Sequence, residues 1–139
     1  MTAAVQNVRM VVAAAAARGI PPGKLLAAID LDPQALIATE GRVPAELALR
    51  AWQAAAELCR DPAFGLSAVD HLASDYLGGF GFAIHGSATL GGALRQLVRF
   101  FPLVNQHVGL ELVEDGALVR VRIAVHAEVP DEAMRHPAE

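Results

Sequence analysis

The sequence predicts an α+β fold, in which a cluster of short helices precedes one longer amphipathic helix and an antiparallel β-hairpin. Three observations lead to this prediction. Apolar residues recur at helical spacing in the first half, a threonine precedes an apolar stripe in residues 90–101, and two alternating apolar segments flank Asp115-Gly116. The chain has 139 residues, of which 54% are hydrophobic and 19% charged, enough for one packed domain.

The first two helices are predicted from strong helix formers and from the residues at their ends. Residues 3–18 are rich in alanine, and Gly19 stands where helices commonly end. Pro21 and Pro22 can open a second helix over residues 24–29, because proline suits the first turn, whose amides have no partner within the helix.

Two Asp-Pro pairs predict short helices, and a longer helix lies between them. In Asp32-Pro33 and Asp61-Pro62, the aspartate can cap the helix and the proline can occupy its first position. Residues 44–59 carry apolar side chains at helical spacing, namely Leu47, Ala51, Ala54, Ala55 and Leu58.

The best-capped helix is predicted for residues 90–101. Thr89 can cap it, and Pro102 is expected to end or kink it, since proline lacks an amide hydrogen. The apolar side chains of this helix form one stripe, which comprises Leu90, Leu94, Leu97, Val98 and Phe101. Such a stripe predicts a face that packs on the rest of the domain.

The hairpin can be predicted in register. With Asp115-Gly116 as a two-residue turn, apolar residues face each other in the pairs Leu112–Val119, Leu110–Val121 and Val108–Ile123. The same register places Glu111 opposite Arg120 on the other face of the sheet, where the pair contributes about 0.2–1 kcal/mol.

Composition and charge exclude several classes of protein. The formal net charge is −4 and the pI about 5.7, which argues against nucleic-acid binding by this chain. Cys59 is the only cysteine, so no internal disulfide can form, as is typical of the cytoplasm. The apolar run at residues 10–17 is too short for a membrane span and reads as helix rather than signal peptide. We therefore expect a cytoplasmic protein with no membrane partner.

Catalytic and metal-binding motifs are incomplete. Gly79 and Gly81 lack the third glycine of a dinucleotide loop, because Ile84 stands there. We interpret Gly78, Gly79 and Gly81 as a tight turn. Ser87 follows Gly86 directly, so it does not form a nucleophile elbow. The five histidines show no metal-ligand spacing. We expect no catalytic residue, no metal site and no cofactor.

One pattern in the second half is specific enough to carry a family resemblance. Glycines and an aromatic residue lead into a Ser-x-Thr-Leu motif, a helix and a hairpin, through Gly79, Gly81, Phe82, Ser87, Thr89, Leu90, Leu94, Leu97, Leu110, Leu112 and Gly116. This pattern resembles the effector-sensing amino-terminal domain of AraC-type transcription regulators, in the arabinose-binding-like branch. Residues 27–36, 42–44 and 61–66 resemble the opening of the same domain.

The resemblance implies the ligand-sensing and oligomerisation portion of such a regulator. It would bind a small organic effector without catalysis, as a homodimer, and DNA would be bound by a C-terminal helix-turn-helix domain absent from this chain. Residues 1–125 would then form the N-terminal part of a larger sensing domain and residues 126–139 a connector to its missing C-terminal part. Trp52 is expected either in the core or in the dimer contact. The alternative is a free-standing dimerisation or protein-interaction module without effector.

Five residues are candidates for effector contacts: Tyr76, Phe82, His85, Arg99 and Phe100. Each has a structural alternative. The aromatic residues can belong to the core, and His85 can be satisfied by a backbone carbonyl. Arg95 and Arg99 on the helix, and Arg120 and Arg122 on the strand, can either lie in solvent or together hold a carboxylate.

Overall fold

A computed structural model describes residues 1–37, 41–71 and 78–125, and within these ranges the α+β class is confirmed. The helices are α1 (Val5–Ala17), α2 (Pro22–Ala28), α3 (Ala45–Cys59), α4 (Phe64–Ala68), α5 (Gly78–His85) and α6 (Leu90–Val104), with short 3-10 helices at Pro33–Leu36 and Val69–His71. The strands are β1 (Thr2–Ala4), β2 (Arg42–Pro44), β3 (Val108–Asp115) and β4 (Leu118–Val125). Antiparallel pairing joins β1 to β2 and β3 to β4. The predicted connector at 126–139 lies outside the described residues.

The main hydrophobic core lies among α1, α2, α3 and α4. Its largest fully buried side chains are Phe64, Leu25, Ile29, Val5, Val8 and Val11. Helix α1 packs on α3, and both helices bury alanines, among them Ala14 and Ala51, neither of which is exposed. Alanine allows helices to approach closely because its side chain is a single methyl group. The burial of these alanines shows that the alanine-rich first helix contributes to the core.

The predicted first helix forms, but it is shorter than the expected residues 3–18. Its opening residues belong to β1, in which Ala3 pairs with Val43 of β2. Gly19 has φ 84° and directly follows the helix end, as predicted. Helix α2 begins at Pro22 rather than at residue 24.

The two Asp-Pro pairs differ in outcome. The Asp32 Oδ1 atom accepts a hydrogen bond of 2.8 Å from the Gln34 amide and caps the short helix that Pro33 opens, as predicted. The Asp61 Oδ1 atom accepts a hydrogen bond of 2.9 Å from the Ala63 amide. However, α4 begins at Phe64, so the prediction that proline occupies its first position is wrong there.

Trp52 lies in the core, as one of the two interpretations predicts. Its side chain is buried, its Nε1 donates a hydrogen bond of 3.1 Å to Asn7 Oδ1, and its ring meets Phe64 edge to face at 6.0 Å. Both the indole nitrogen and the ring of Trp52 are already in contact with residues of the same chain, and almost none of its surface is left for a second subunit. The alternative of a Trp52 dimer contact is therefore wrong.

Asp61 also ties α1 to α4 through a small polar cluster. Arg18 Nη1 lies 3.0 Å from Asp61 Oδ2 and donates to Ser67 Oγ at 2.8 Å, while the Ser67 hydroxyl donates to Asp61 Oδ2 at 2.9 Å. The hydrogen bond from the Ala63 amide, followed by that from Ser67, lowers the pKa of Asp61 below its usual value.

A pH dependence of stability follows from the lowered pKa of Asp61. A carboxylate with a depressed folded-state pKa stabilises the fold above its unfolded pKa of about 3.9, and this contribution is lost as the pH falls through the folded value. We expect Asp61→Asn to be less stable than the parent at pH 7 and the difference to shrink in acid, as measured by urea unfolding across pH. The control is Asp70→Asn, at an exposed position. A pH-independent difference for Asp61→Asn would contradict the assignment.

Helix α6 is capped as predicted and ends later than predicted. Thr89 Oγ1 accepts a hydrogen bond of 3.1 Å from the Gly92 amide. Pro102 lies inside the helix, which continues to Val104, so the expectation that proline would end it at this point is wrong. The missing proline amide removes one bond of the last turn, whereas Asn105 still donates to the Phe101 carbonyl at 3.0 Å.

The β3–β4 hairpin has the predicted faces but not the predicted register. The turn residues are Gly116 and Ala117, so Asp115 pairs with Leu118. This moves every pair by two residues, giving Leu112–Val121 and Leu110–Ile123, with Glu111 opposite Arg122 instead of Arg120. Because side chains alternate with period two, the same residues still share a face.

Gly116 is the turn position where a side chain is expected to be costly. Its φ is +60°, while no atom lies within 4 Å of a Cβ placed there, so the strain of a substitution is in the backbone alone. We expect Gly116→Val to lower the free energy of unfolding by about 1–2 kcal/mol in denaturant titration. Gly23→Val is the control, since its surroundings are equally open without positive φ. Equal effects at the two sites would mean that the turn does not require a left-handed residue.

Candidate functional site

The second part of the chain, residues 78–125, comprises α5, α6, β3 and β4. It exposes much of its apolar surface. In α6 no residue is buried, and the predicted stripe is half-buried apart from Leu90, which is 77% exposed. Phe82 of α5 is 81% exposed, and Val119, Val121 and Ile123 of β4 are also exposed. Surfaces of this kind in a folded protein indicate a binding site or an interface.

This part joins the helical core through a polar contact. The main core cluster contains no described residue after Ala68. Beyond it, the Gln106 amide donates to the Thr2 carbonyl at 3.2 Å, and Arg42 Nη1 donates to the Leu103 carbonyl at 2.8 Å. Arg42 also donates to the Thr2 hydroxyl at 2.6 Å. Arg42 therefore links the first strand pair to the end of α6.

Two polar residues beside this joint are buried, and neither belongs to the predicted site residues. Asn105 and His107 are 5% and 7% exposed, and Asn105 Oδ1 accepts a hydrogen bond of 2.9 Å from the His107 amide. The His107 Nδ1 and Gln96 Oε1 atoms are buried without a hydrogen-bond partner among the described residues. The one available signal was the polar run at residues 105–107 between the apolar helix and the apolar strand.

The predicted effector residues fall on two adjacent helices. Phe82 and His85 are exposed on α5, whereas Arg99 and Phe100 lie on α6, against which α5 packs. Arg99 Cζ lies 5.2 Å from the centroid of the Phe100 ring, in a cation–π arrangement. Tyr76 lies outside the described residues. The structure thus places four of the five candidates in one pair of helices.

The glycine segment before them differs from the prediction. Gly78, Gly79 and Gly81 all belong to α5, so the expected tight turn is wrong. A Cβ at Gly79 would meet no atom of the described residues within 4 Å, so none of the described elements requires glycine there by its close approach.

The arginines of this part are mostly paired within the fold. Arg122 lies 2.8 Å from Glu111 and Arg120 lies 3.4 Å from Asp115, both within the hairpin. Arg95 of α6 lies 3.7 Å from Glu114 of β3, whose side chain is on the apolar face of the hairpin. Arg120 and Arg122 project from the opposite face of the hairpin, so the helix and strand arginines do not converge, and the hypothesis that they jointly hold a carboxylate is not supported for these three residues.

Arg99 differs from these arginines. Among the described residues it has no carboxylate partner within ion-pair distance, and its guanidinium lies over the Phe100 ring. An arginine stacked on an aromatic ring keeps its donors available for a bound polar or anionic group. Of the predicted set, Arg99 has the clearest chemical capacity to bind a ligand.

Within the ranges 1–37, 41–71 and 78–125, no three His, Cys, Asp or Glu side chains come close enough to hold a metal ion. None of the helices described is long and apolar enough to cross a bilayer.

Comparison with protein families gives a match over most of the chain. Residues 19–138 match the model of the family described as the arabinose-binding domain of AraC transcription regulator, N-terminal. The match covers α2 through β4 and most of the chain. A comparison with curated proteins finds no similar sequence.

Proposed function

The chain belongs to the family of N-terminal arabinose-binding domains of AraC transcription regulators, and on that premise we propose that it senses a small organic effector and mediates oligomerisation. Effector binding involves no catalysis, and a helix-turn-helix domain outside this sequence binds DNA. The family match is the observation that carries this proposal. The family is a ligand-binding domain of transcription regulators, which agrees with the cytoplasmic location expected from the sequence.

The proposed effector site lies on α5 and α6. Phe82, His85, Arg99 and Phe100 form it, with Tyr76 as the fifth contact. Support comes from the exposure of Phe82 and from the unpaired donors of Arg99 among the described residues. An exposed aromatic side chain and an available guanidinium together suit a small molecule with an apolar face and a polar or anionic group.

The proposed output is a change in how the two parts of the chain are joined. An effector can shift an equilibrium only by binding two conformations unequally. The joint at Thr2, Arg42 and Gln106 is hydrogen-bonded, and it carries few of the large buried side chains that fill the helical core. A polar joint of this kind can rearrange at lower cost than a close-packed core.

The proposal is tested by thermal unfolding with a panel of small molecules that includes L-arabinose, other sugars and small organic acids. A ligand of the folded state, present at a hundred times its Kd, stabilises it by about 2.7 kcal/mol, which raises Tm by roughly 10 °C. We expect one compound class to do so, and Arg99→Gln to reduce the shift. Arg50→Gln, which removes an exposed arginine from α3, is the matched control and should leave it unchanged. No shift with any compound would contradict effector sensing.

The exposed apolar face of the hairpin favours a second candidate, a dimerisation or protein-interaction module without effector. Sedimentation over a range of concentrations discriminates the two. A dimer whose Tm responds to no compound favours the module, whereas a Tm shift by one compound class favours the sensor.

A further inference from the structure

Among the described residues, no strand pairs with the outer edge of β4. All residues of β4 from Leu118 to Ile123 are exposed. The apolar residues Val119, Val121 and Ile123 are 53%, 41% and 45% exposed. Among the described residues β4 pairs with β3 alone, so the amides and carbonyls directed away from β3 form no ladder there. An edge strand of this kind is a template for another strand.

The two faces of β4 have different chemistry. Val119, Val121 and Ile123 share the apolar face, whereas Arg120 and Arg122 project from the opposite face. Both arginines are largely exposed, with side-chain values of 62% and 64%. A strand that adds to this edge must therefore present apolar residues on one face and groups compatible with two guanidinium ions on the other.

A second copy of β4 does not meet this requirement. In antiparallel self-pairing with apolar opposite apolar, the two registers of greatest overlap place Arg120 opposite Arg122 of the copy, or Arg122 opposite itself. Like charges directly opposite each other destabilise a sheet. The arginines therefore act against association through this edge, a common protective role for basic residues on edge strands.

The inner neighbour of β4 shows what does fit. On the arginine face of strand β3, Glu111 lies 2.8 Å from Arg122 and Asp115 lies 3.4 Å from Arg120, with the apolar Val113 between them. Both carboxylates belong to β3, on the inner side of β4. Each guanidinium has five N–H donors, so it can also donate to a second carboxylate from a strand on the outer side of β4.

We propose that the outer edge of β4 binds an extended segment of a separate protein partner whose residues alternate between apolar and acidic. Main-chain hydrogen bonds to the β4 edge extend the sheet, apolar side chains cover Val121 and Ile123, and carboxylates pair with Arg120 and Arg122. This is recognition by strand addition, in which the backbone provides affinity and the alternating side chains provide specificity. The inference does not depend on the effector site.

The test uses a synthetic peptide with the sequence of residues 108–115 as the probe and the whole chain as receptor. The control peptide carries lysine in place of Glu111 and Asp115. We expect binding of the acidic peptide to protect β4 amides from hydrogen exchange, and the lysine peptide to bind roughly 2- to 30-fold more weakly, from two cross-strand charge pairs. Raising the salt concentration should narrow this difference.

The receptor control is the double variant Arg120→Thr with Arg122→Thr, since threonine suits strands and keeps the hairpin pattern. It should bind both peptides alike. Equal binding of the two peptides by the parent chain, or no binding at the highest soluble concentration, overturns the proposal. Loss of protection in β3 would show that the peptide displaces the chain's own strand and also overturns it. Concentration-dependent self-association that the double variant does not alter likewise overturns it. If the double variant unfolds, the salt dependence of the parent chain still decides between the outcomes.

Discussion

Replacement of Phe64 by alanine is expected to lower the free energy of unfolding by about 3–5 kcal/mol. Phe64 is fully buried at the start of α4, and its ring meets the edge of Trp52 at 6.0 Å. The substitution removes the aromatic contact and leaves a cavity among α1, α3 and α4, which close packing prevents from collapsing fully. Denaturant titration measures the change directly.

Leu66→Ala is the matched control, since Leu66 lies in the same short helix and is 60% exposed. Its cost should be about 0.5 kcal/mol or less, as for most surface substitutions. If Phe64→Ala cost no more than Leu66→Ala, α4 would not be part of the cooperative core and the description of the helical half would be wrong.

The second large effect is expected from Ala14→Leu in α1. Ala14 is fully buried where α1 packs on the other helices, so the added side chain must displace neighbours or force the helices apart. Overpacking of this kind is expected to lower the free energy of unfolding by about 1–3 kcal/mol, measured by denaturant titration.

Ala16→Leu provides the comparison, because Ala16 is exposed two residues further along the same helix. Its stability should stay within about 0.5 kcal/mol of the parent. Equal losses in the two variants would show that the effect comes from helix propensity or the unfolded state rather than from packing against α3.

Elements with strong local signals were predictable. Thr89 and the apolar stripe after it predict α6, because the hydroxyl cap and the helical period are both encoded in consecutive residues. The faces of the hairpin follow from the alternation of apolar residues for the same reason. The register did not follow, since glycine can stand at either central position of a two-residue turn, and the sequence around Gly116 permits both placements.

Non-local contacts account for the remaining differences. Thr2 and Arg42 are separated by 40 residues, and only the folded chain shows that an alanine-rich opening forms a strand there instead of extending the first helix. Tertiary pairing overrides helix propensity in this segment. The buried Asn105 is likewise placed by a non-local contact, since Ala3 of β1 bridges to it.

The candidate site was predictable in part. Its residues were selected because aromatic and basic side chains concentrate near the glycine segment, and the structure places four of them on α5 and α6. The sequence did not show that Arg95, Arg120 and Arg122 would find carboxylates within the fold, whereas Arg99 has none among the described residues. That distinction depends on how α6 packs against the hairpin.

Backbone amide NMR spectra recorded during titration with the compound that most raises Tm would locate the effector site. We predict that the amide shifts concentrate in α5, α6 and the β3–β4 hairpin, with smaller changes at the joint around Arg42. The buried segments of α1 and α3 should change little. Shifts confined to the helical core, or a spectrum that no compound alters, would contradict an effector site in the second part of the chain.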